Sequence, residues 1–320
     1  AGVSGYTADA AINTEVGSLS GMPLPAPKKS ETGKKIILNL ASRLLTLYEG
    51  MEKVRIYPVA VGAPETPSPV GEFSISEKEV NPSWTDPKTK ITVPSGPSNP
   101  LGYRWLGLYG NYGIHGTNAP WSIGCSVSHG CIRMYEEDVE ELFESAPMGT
   151  PVEIIYDRVI MEEAPDHTVS YYIYPDGYGW EPLTVSSVKE YLARYGVEDF
   201  ALPDEVYHKI IASDGSVTYV AKHYDLVING RKLKKKAIGK DGNIWIPAVE
   251  TSVVTKVGAY WDGETNTLMT RLGKVPGIVK SDVVYINEKD LESVFHIKGC
   301  LTEDLVYEAE SLPTAEPASK

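Results

Sequence analysis

IHGTNAPWSIGCSVSHGCIRM, residues 114–134, holds two of the three cysteines and two of the six histidines in a chain of 320 residues. Cys131 follows His115 by sixteen residues and His129 by two. Cysteine attacks as the thiolate, and a free thiol titrates near about 8.5, so a nucleophilic cysteine needs a base or a positive field. In an extended chain His129 points the same way as Cys131, but a pair on one short segment seldom gives the in-line geometry a base needs. His115 lies on a separate segment that can fold back across the site, the more usual arrangement for cysteine enzymes. A third group must fix its tautomer, and the carbonyl of Gly116 can do so, since glycine lets the chain turn closely there. Gly130, just before the cysteine, lets the N–H groups of residues 129–131 converge on one point, as an oxyanion requires. Arg133 offers a planar, bidentate contact to a substrate carboxylate; its alternative is a salt bridge to the acidic residues 136–138.

Taken alone, these residues leave the bland reading open: a small buried cysteine beside a satisfied histidine. A metal is not expected. His115, Cys125, His129 and Cys131 follow a spacing that fits none of the standard zinc patterns. His223 and His296 are isolated in the sequence, with no ligand cluster around them.

Working outward, KIILNL from Lys35, LLTLYEG and VRIYPVAVG read as a meander of short antiparallel strands, turning at Ala41–Ser42 and Glu49–Gly50. Residues 79–113 are rich in Pro, Gly, Asn and aromatics, which suggests long loops around short strands, the kind of region that carries function. EEDVEELFESA, 136–146, reads as a helix: Val139, Leu142 and Phe143 form one apolar face, and three acids crowd the first turn. PVEIIYD closes the unit as a strand. Residues 34–157 therefore read as a mainly β domain with one packed helix.

Beyond it, HTVSYYIYPDGYGWEPLTV is dense in tyrosine, either as a stacking surface for sugars or as strand residues of a small packed unit. VSSVKEYLARYG reads as a helix with Val188, Leu192 and Tyr195 on one face. From Asp225 the chain regularises into hairpins at Asn229–Gly230, Asp241–Gly242 and Asp262–Gly263, with short helices at VETSVVTKVG and EKDLESVF and a strand at Val283–Ile286. Residues 1–32 and the tail after Leu312 read as flexible.

The composition is that of a globular protein, with 42% hydrophobic and 23% charged residues. A net charge of −13 argues against a nucleic-acid partner. The single dense basic run, KLKKK ending at Lys236, reads as a solvated strand or turn. No stretch reaches the roughly 18–20 apolar residues of a membrane span. The chain starts AGVSG, which fits an artificial or a processed terminus; a lost segment would be a secretion signal or an N-terminal anchor.

The 114–134 stretch, with its His-Gly segment and Ser-His-Gly-Cys-x-Arg box, resembles the signature of the L,D-transpeptidase (YkuD-type) family. KIILNLASRLLTLYEG resembles the family's opening strands and YPVAVGAPETPSPVGEFSI its second block. NPSW at 81–84 and NPLGYRWLGL at 99–108 resemble its substrate-side loops. The resemblance spans 34–156. It implies a β-sandwich-like catalytic domain that works without metal or organic cofactor. It also implies roles: Cys131 as nucleophile, His115 as base, the Gly116 carbonyl as orienter. His129, Gly130 and Ser128 would shape the oxyanion site, and Arg133, Asn81, Trp84 and Gly102 would contact substrate.

The implied reaction is acyl transfer from a peptidoglycan stem tetrapeptide. D-alanine is released and a 3→3 cross-link forms when another stem is the acceptor. Water as acceptor gives an L,D-carboxypeptidase; a protein or small amine gives an attachment enzyme; a wall-binding protein with a vestigial catalytic domain is the non-enzyme alternative. The resemblance implies export to the periplasm or cell wall. In an oxidising compartment Cys125 faces two fates, as a small buried residue or as a partner that silences Cys131 by pairing. Pairing of Cys125 with Cys300 is a third.

Residues 225–310 resemble the small domain named after the N-terminal region of copper amine oxidases, an α+β unit of hairpins and short helices. That resemblance implies either attachment to cell-envelope components or a spacer, and no copper. The expected organisation is a lead-in at 1–32, a catalytic domain at 33–157, a Tyr-rich connecting region at 158–224, the hairpin domain at 225–310 and a tail at 311–320.

Overall fold

The computed structural model describes residues 33–313, so the expected lead-in 1–32 and the tail from 314 onward lie outside the described residues. The chain divides into two units. The first takes in residues up to Ile160 with Tyr172–Pro182 and Ser213–Ser216; the second takes in Met161–Tyr171, Leu183–Ala212 and residues from Val217 onward.

In the first unit β1 (Lys34–Asn39), β2 (Leu44–Glu49) and β3 (Glu52–Pro58) form the antiparallel meander expected from the alternation of apolar residues. Arg43 and Gly50 take left-handed φ values of 56° and 60° where the chain reverses. After β4 (Val61–Gly62) comes β5 (Gly71–Ser74), then β6 (Glu77–Val80), β7 (Trp84–Thr85), β8 (Thr92–Val93), β9 (Arg104–Tyr109) and β10 (Tyr112–His115). Next are β11 (Ser126–Ser128), β12 (Ile132–Arg133), α1 (Glu136–Ser145) and β13 (Pro151–Ile155). β13 lies parallel to β1, Ile36 opposite Val152, and antiparallel to β5, giving the order β3-β2-β1-β13-β5. A second sheet runs β12-β10-β9-β6. Ile36 and Leu38 of the first sheet, Leu106 and Ile114 of the second, and Val139 and Leu142 of α1 share one buried core. Every one of these faces is apolar at the period of its element, which is why two sheets and one helix close on each other.

The second unit is built on β16 (Thr218–Ile228), which runs through the boundary at 225 expected from sequence. Residues 158–224 are therefore no separate region. β14 (Val159–Glu163) and β15 (Thr168–Ile173) contribute residues to both units. α2 (Val185–Ala193) buries Val188 and Leu192 as its spacing predicts, and a Thr184–Ser187 capping box starts it. α3 (Pro203–Ala212) is not foreshadowed by the sequence pattern. β17 (Arg231–Lys232) closes the Asn229–Gly230 turn. β18 (Ala237–Lys240) and β19 (Asn243–Pro247) flank Asp241–Gly242, all four turn residues having positive φ.

α4 (Ala248–Thr255), β20 (Ala259–Asp262), β21 (Thr267–Thr270), β22 (Lys274–Lys280), β23 (Val283–Asn287) and α5 (Leu291–Phe295) follow, then β24 (Ile297–Leu301) and β25 (Val306–Ser311). The third hairpin does not turn on Asp262–Gly263 alone. The Asp262 carboxylate accepts the N–H of Glu264, and the left-handed residue is Asn266, so the connection spans 263–266. The basic run is engaged within this unit. Lys232 and Lys236 pair with Asp225, and Lys235 pairs with Asp199 at 2.5 Å and Glu198 at 3.3 Å. No helix among the described residues is long and apolar enough to cross a membrane.

Candidate active site

β10 and β12 are parallel neighbours, with Ile114 opposite Ile132 and His115 opposite Arg133. Successive residues of a strand face opposite ways. Ile114 and Ile132 point into the core, so His115 and Arg133 share the other face, and Cys131, just ahead of β12, lies with His115 within reach of the Arg133 charge. The sheet thus brings a histidine, a cysteine and an arginine from two segments together.

His115 is 4% exposed. Its Nδ1 lies 2.6 Å from the Gly116 carbonyl oxygen. A carbonyl only accepts, so Nδ1 carries the hydrogen and Nε2 keeps the lone pair. The indole of Trp105, on the adjacent strand, stacks on the imidazole with centroids 5.8 Å apart. Burial pushes the His115 pKa down to about 4; the Gly116 carbonyl opposes this and the Arg133 charge adds to it. Burial likewise pushes the Cys131 thiol up, with backbone at Gly113 and the Arg133 charge opposing. The thiol donates to the Asn111 carbonyl at 3.2 Å. At neutral pH the resting pair is therefore a thiol and a neutral imidazole with its basic nitrogen free to take a proton.

The loop before Cys131 is held from inside. The Ser128 hydroxyl donates to the Cys131 carbonyl at 2.5 Å and accepts the Gly130 N–H at 3.0 Å. This commits the Gly130 N–H, one of the oxyanion donors expected from the sequence. Gly130 itself has φ +111°, and a Cβ there would come 2.4 Å from the Tyr112 ring. Its carbonyl accepts the buried Ser68 hydroxyl at 2.8 Å, and Ser68 Oγ accepts the Gly62 N–H at 2.9 Å. Thr66 holds the Ser128 carbonyl at 2.9 Å. Neither Ser68 nor Thr66 is marked in the sequence by more than a Pro/Ser-rich loop.

Arg133 is half-buried and donates to Ser122 Oγ at 3.5 Å. The acidic helix start does not take it. Instead the Glu136 carboxylate accepts the Thr117 N–H at 2.6 Å and the Tyr103 N–H at 3.0 Å. It thereby pins the segment after His115 to the loop before β9. Both Gly116 and Gly102 face that carboxylate: a Cβ would meet its oxygen at 2.2 Å and 1.9 Å. Glu136 is thus an organiser that the sequence disguised as a dipole-compensating residue of a helix N-terminus.

Of the other candidates, Gly102 lies behind the site against Glu136, Asn81 is exposed with φ +57°, and Trp84 is half-buried in the β7–β8 ribbon. Buried Asn99 shapes that loop, its amide donating to Pro82 O at 2.8 Å and its Oδ1 accepting the Leu101 N–H at 2.8 Å. His129 is exposed. All three cysteines are free thiols: Cys125 and Cys131 half-buried, Cys300 exposed.

The model of the YkuD, L,D-transpeptidase catalytic domain, matches residues 33–154. Among curated proteins, "Putative L,D-transpeptidase YkuD" of Bacillus licheniformis is 44% identical over 121 residues, 38% of this chain and 64% of that protein. "Probable L,D-transpeptidase YbiS" of Escherichia coli K12 is 36% identical over 146 residues, 41% of this chain and 47% of that protein, so the chain spans about half the length of this relative. "Putative L,D-transpeptidase YqjB" of Bacillus subtilis is 38% identical over 134 residues, which are 40% of this chain and 74% of that protein. On the family match around His115 and Cys131, and on the share of YqjB that aligns, the chain belongs to the L,D-transpeptidase (YkuD) family.

Proposed function

We propose that the protein is an exported L,D-transpeptidase that forms 3→3 cross-links in peptidoglycan. The observation that carries this reading is the buried neutral His115, its Nδ1–H fixed on the Gly116 carbonyl, beside the same Arg133 charge that acts on the Cys131 thiol. In the first half-reaction His115 Nε2 takes the thiol proton as sulfur attacks the carbonyl carbon of the third stem residue. The C–N bond to D-alanine breaks, the proton passes to the leaving amine, and a thioester remains on Cys131. In the second, the side-chain amine of another stem attacks the thioester, gives its proton to His115, and the sulfur leaves to be reprotonated. The Cys131 N–H is the proposed donor to the oxyanion, since the Gly130 N–H is held by Ser128. Arg133 is proposed to meet a substrate carboxylate, with Asn81 and Trp84 on the loop side and His129 at the rim. The hairpin-rich second unit is proposed to engage cell-envelope components.

Incubation with a disaccharide-tetrapeptide under reducing conditions, followed by mass spectrometry, tests this. A dimer that has lost one D-alanine, absent with Cys131→Ala, is the expected result. Tripeptide as the sole product would move the assignment to a carboxypeptidase. Turnover retained in Cys131→Ala would sink the mechanism.

A further inference from the structure

Two residues of one turn and a third, distant in the sequence, meet in the second unit. Glu163 ends β14, His167 stands in the turn before β15, and His223 lies on β16. The turn is closed by the Ala164 N–H on the Thr168 carbonyl at 2.9 Å and the His167 N–H on the Ala164 carbonyl at 2.8 Å. β15 pairs with β16, Thr168 opposite Lys222, and the His223 N–H donates to the His167 carbonyl at 3.2 Å. The two imidazoles stack with centroids 5.1 Å apart and planes 13° from parallel. Their Nε2 atoms turn to one oxygen: His223 Nε2 is 3.0 Å and His167 Nε2 4.0 Å from Glu163 Oε1. One ligand atom from each residue lies within 4.8 Å of the others. In the sequence His223 looks isolated, because 56 residues separate it from His167.

Two further observations point to what the trio holds. His167 Nδ1 is 3.1 Å from the His223 carbonyl oxygen. That carbonyl accepts, so Nδ1 bears the hydrogen and Nε2 is the ring atom turned toward the Glu163 carboxylate. Metal-ligating histidines are held this way, the second nitrogen bonded to a carbonyl that fixes tautomer and ring direction. On the other ring, His223 Nδ1 is buried and has no hydrogen-bond partner. Its Nε2 is the atom 3.0 Å from Glu163 Oε1, a contact that either a hydrogen on Nε2 or a shared cation satisfies.

We propose that Glu163, His167 and His223 bind a divalent cation of the Zn²⁺ class through two imidazole Nε2 atoms and one carboxylate oxygen, water completing the shell. Imidazole and carboxylate together suit Zn²⁺, Co²⁺ or Ni²⁺ and not Mg²⁺ or Ca²⁺, which take oxygen ligands. Three protein ligands with an open position is an established coordination for zinc. The two histidine side chains and the glutamate are 33%, 12% and 34% exposed in the order His167, His223, Glu163, so a hydrated ion can enter. The ion would tie the β14–β15 turn to β16. The proposal is independent of the acyl-transfer reading, since none of the three residues belongs to the Cys131 site.

The test is calorimetric titration of the full chain with ZnCl₂, paired with Co²⁺ absorption and thermal unfolding. The parent and Cys131→Ser are both expected to bind one equivalent, to give a Co²⁺ spectrum without thiolate charge transfer, and to unfold at higher temperature with Zn²⁺. Glu163→Gln, which keeps the shape at the exposed rim, and His167→Ala are each expected to weaken binding at least tenfold and to lose the thermal shift. His223→Gln is the third variant, and its far-UV spectrum checks that β16 is kept. Binding that is unchanged in the Glu163→Gln/His167→Ala double variant, or lost in Cys131→Ser, overturns the site. So does an absence of binding at millimolar metal, which would leave the contact of His223 Nε2 with Glu163 Oε1 as a hydrogen bond alone.

Discussion

The Tyr178 hydroxyl donates to the Gly62 carbonyl at 2.8 Å, joining residues 116 positions apart in the chain. Gly62 in turn is bonded through Ser68 to the carbonyl of Gly130, next to the nucleophile. Tyr178 stacks on Tyr156, with ring centroids 5.3 Å apart, and Tyr156 donates to Asp176 at 2.6 Å. The tyrosine-dense segment thus props the loop that carries Cys131, and the catalytic unit extends past 157.

Tyr178→Phe removes the bond to the Gly62 carbonyl and the longer one that the hydroxyl accepts from the Ser68 N–H at 3.4 Å. A loss of about 1 kcal/mol in the stability of the first unit is expected, together with a several-fold lower kcat. Urea unfolding and product formation read the two effects. Unchanged values in both would mean that the segment merely rests on the unit.

Thiolate chemistry at Cys131 should appear only at alkaline pH. Burial raises its pKa above that of a free thiol, so the thiolate fraction grows only on the alkaline side. Alkylation by iodoacetamide is expected to be slow at pH 7 and to climb steadily beyond pH 9. A plateau between pH 5 and 8 would indicate a thiolate–imidazolium pair instead.

His115 links stability to acid. Its folded pKa of about 4 is below the ordinary 6.5, so the unfolded chain binds this proton first as pH falls. The stabilisation is complete above 6.5 and is lost as pH drops through 4. The gap corresponds to about 3 kcal/mol at roughly 1.4 kcal/mol per unit. Asp138, pushed up to about 6 by burial, acts in the opposite direction, so the comparison must be between proteins and not between pH values alone. Denaturant titrations at pH 7 and pH 4.5 should show a smaller acid loss in His115→Gln than in the parent. Equal losses would contradict the assignment.

Glu136→Ala would orphan the N–H groups of Tyr103 and Thr117. A destabilisation of about 1–3 kcal/mol is expected, with kcat lowered more than binding because the segment after His115 is released. Gly116→Ala should resemble it, since the added methyl displaces the same carboxylate. Wild-type turnover in both variants would show that the carboxylate only caps the helix.

What the sequence made legible was whatever local period or motif encodes. The β1–β3 meander, the apolar face of α1 and the Asn-Gly and Asp-Gly turns each follow from neighbours a few residues apart. The Cys131 and His115 segments were legible because their residue types are rare and their spacing specific. Glu136, Ser68 and Asn99 were not, because a side chain that bonds to distant backbone leaves no periodic trace. Nor was the meeting of His223 with Glu163 and His167, which share one turn, because the β15–β16 pairing brings it about. α3 escaped because its apolar residues do not gather on the buried side: Val206 and the charged Lys209 are buried, while Tyr207 and Ile211 are exposed.

The parallel pairing of β1 with β13 has a kinetic consequence. Ile36 meets Val152, so the central sheet of the first unit cannot close until nearly all of that unit has been synthesised. Contacts of such sequence separation slow folding, often to milliseconds or longer. During translation β1 and β2 emerge as a hairpin with one long apolar edge open, waiting for its last strand. Emergence of Pro151–Ile155 from the ribosome is therefore what lets this sheet close, and a chain stalled before it is the form most exposed to misassembly.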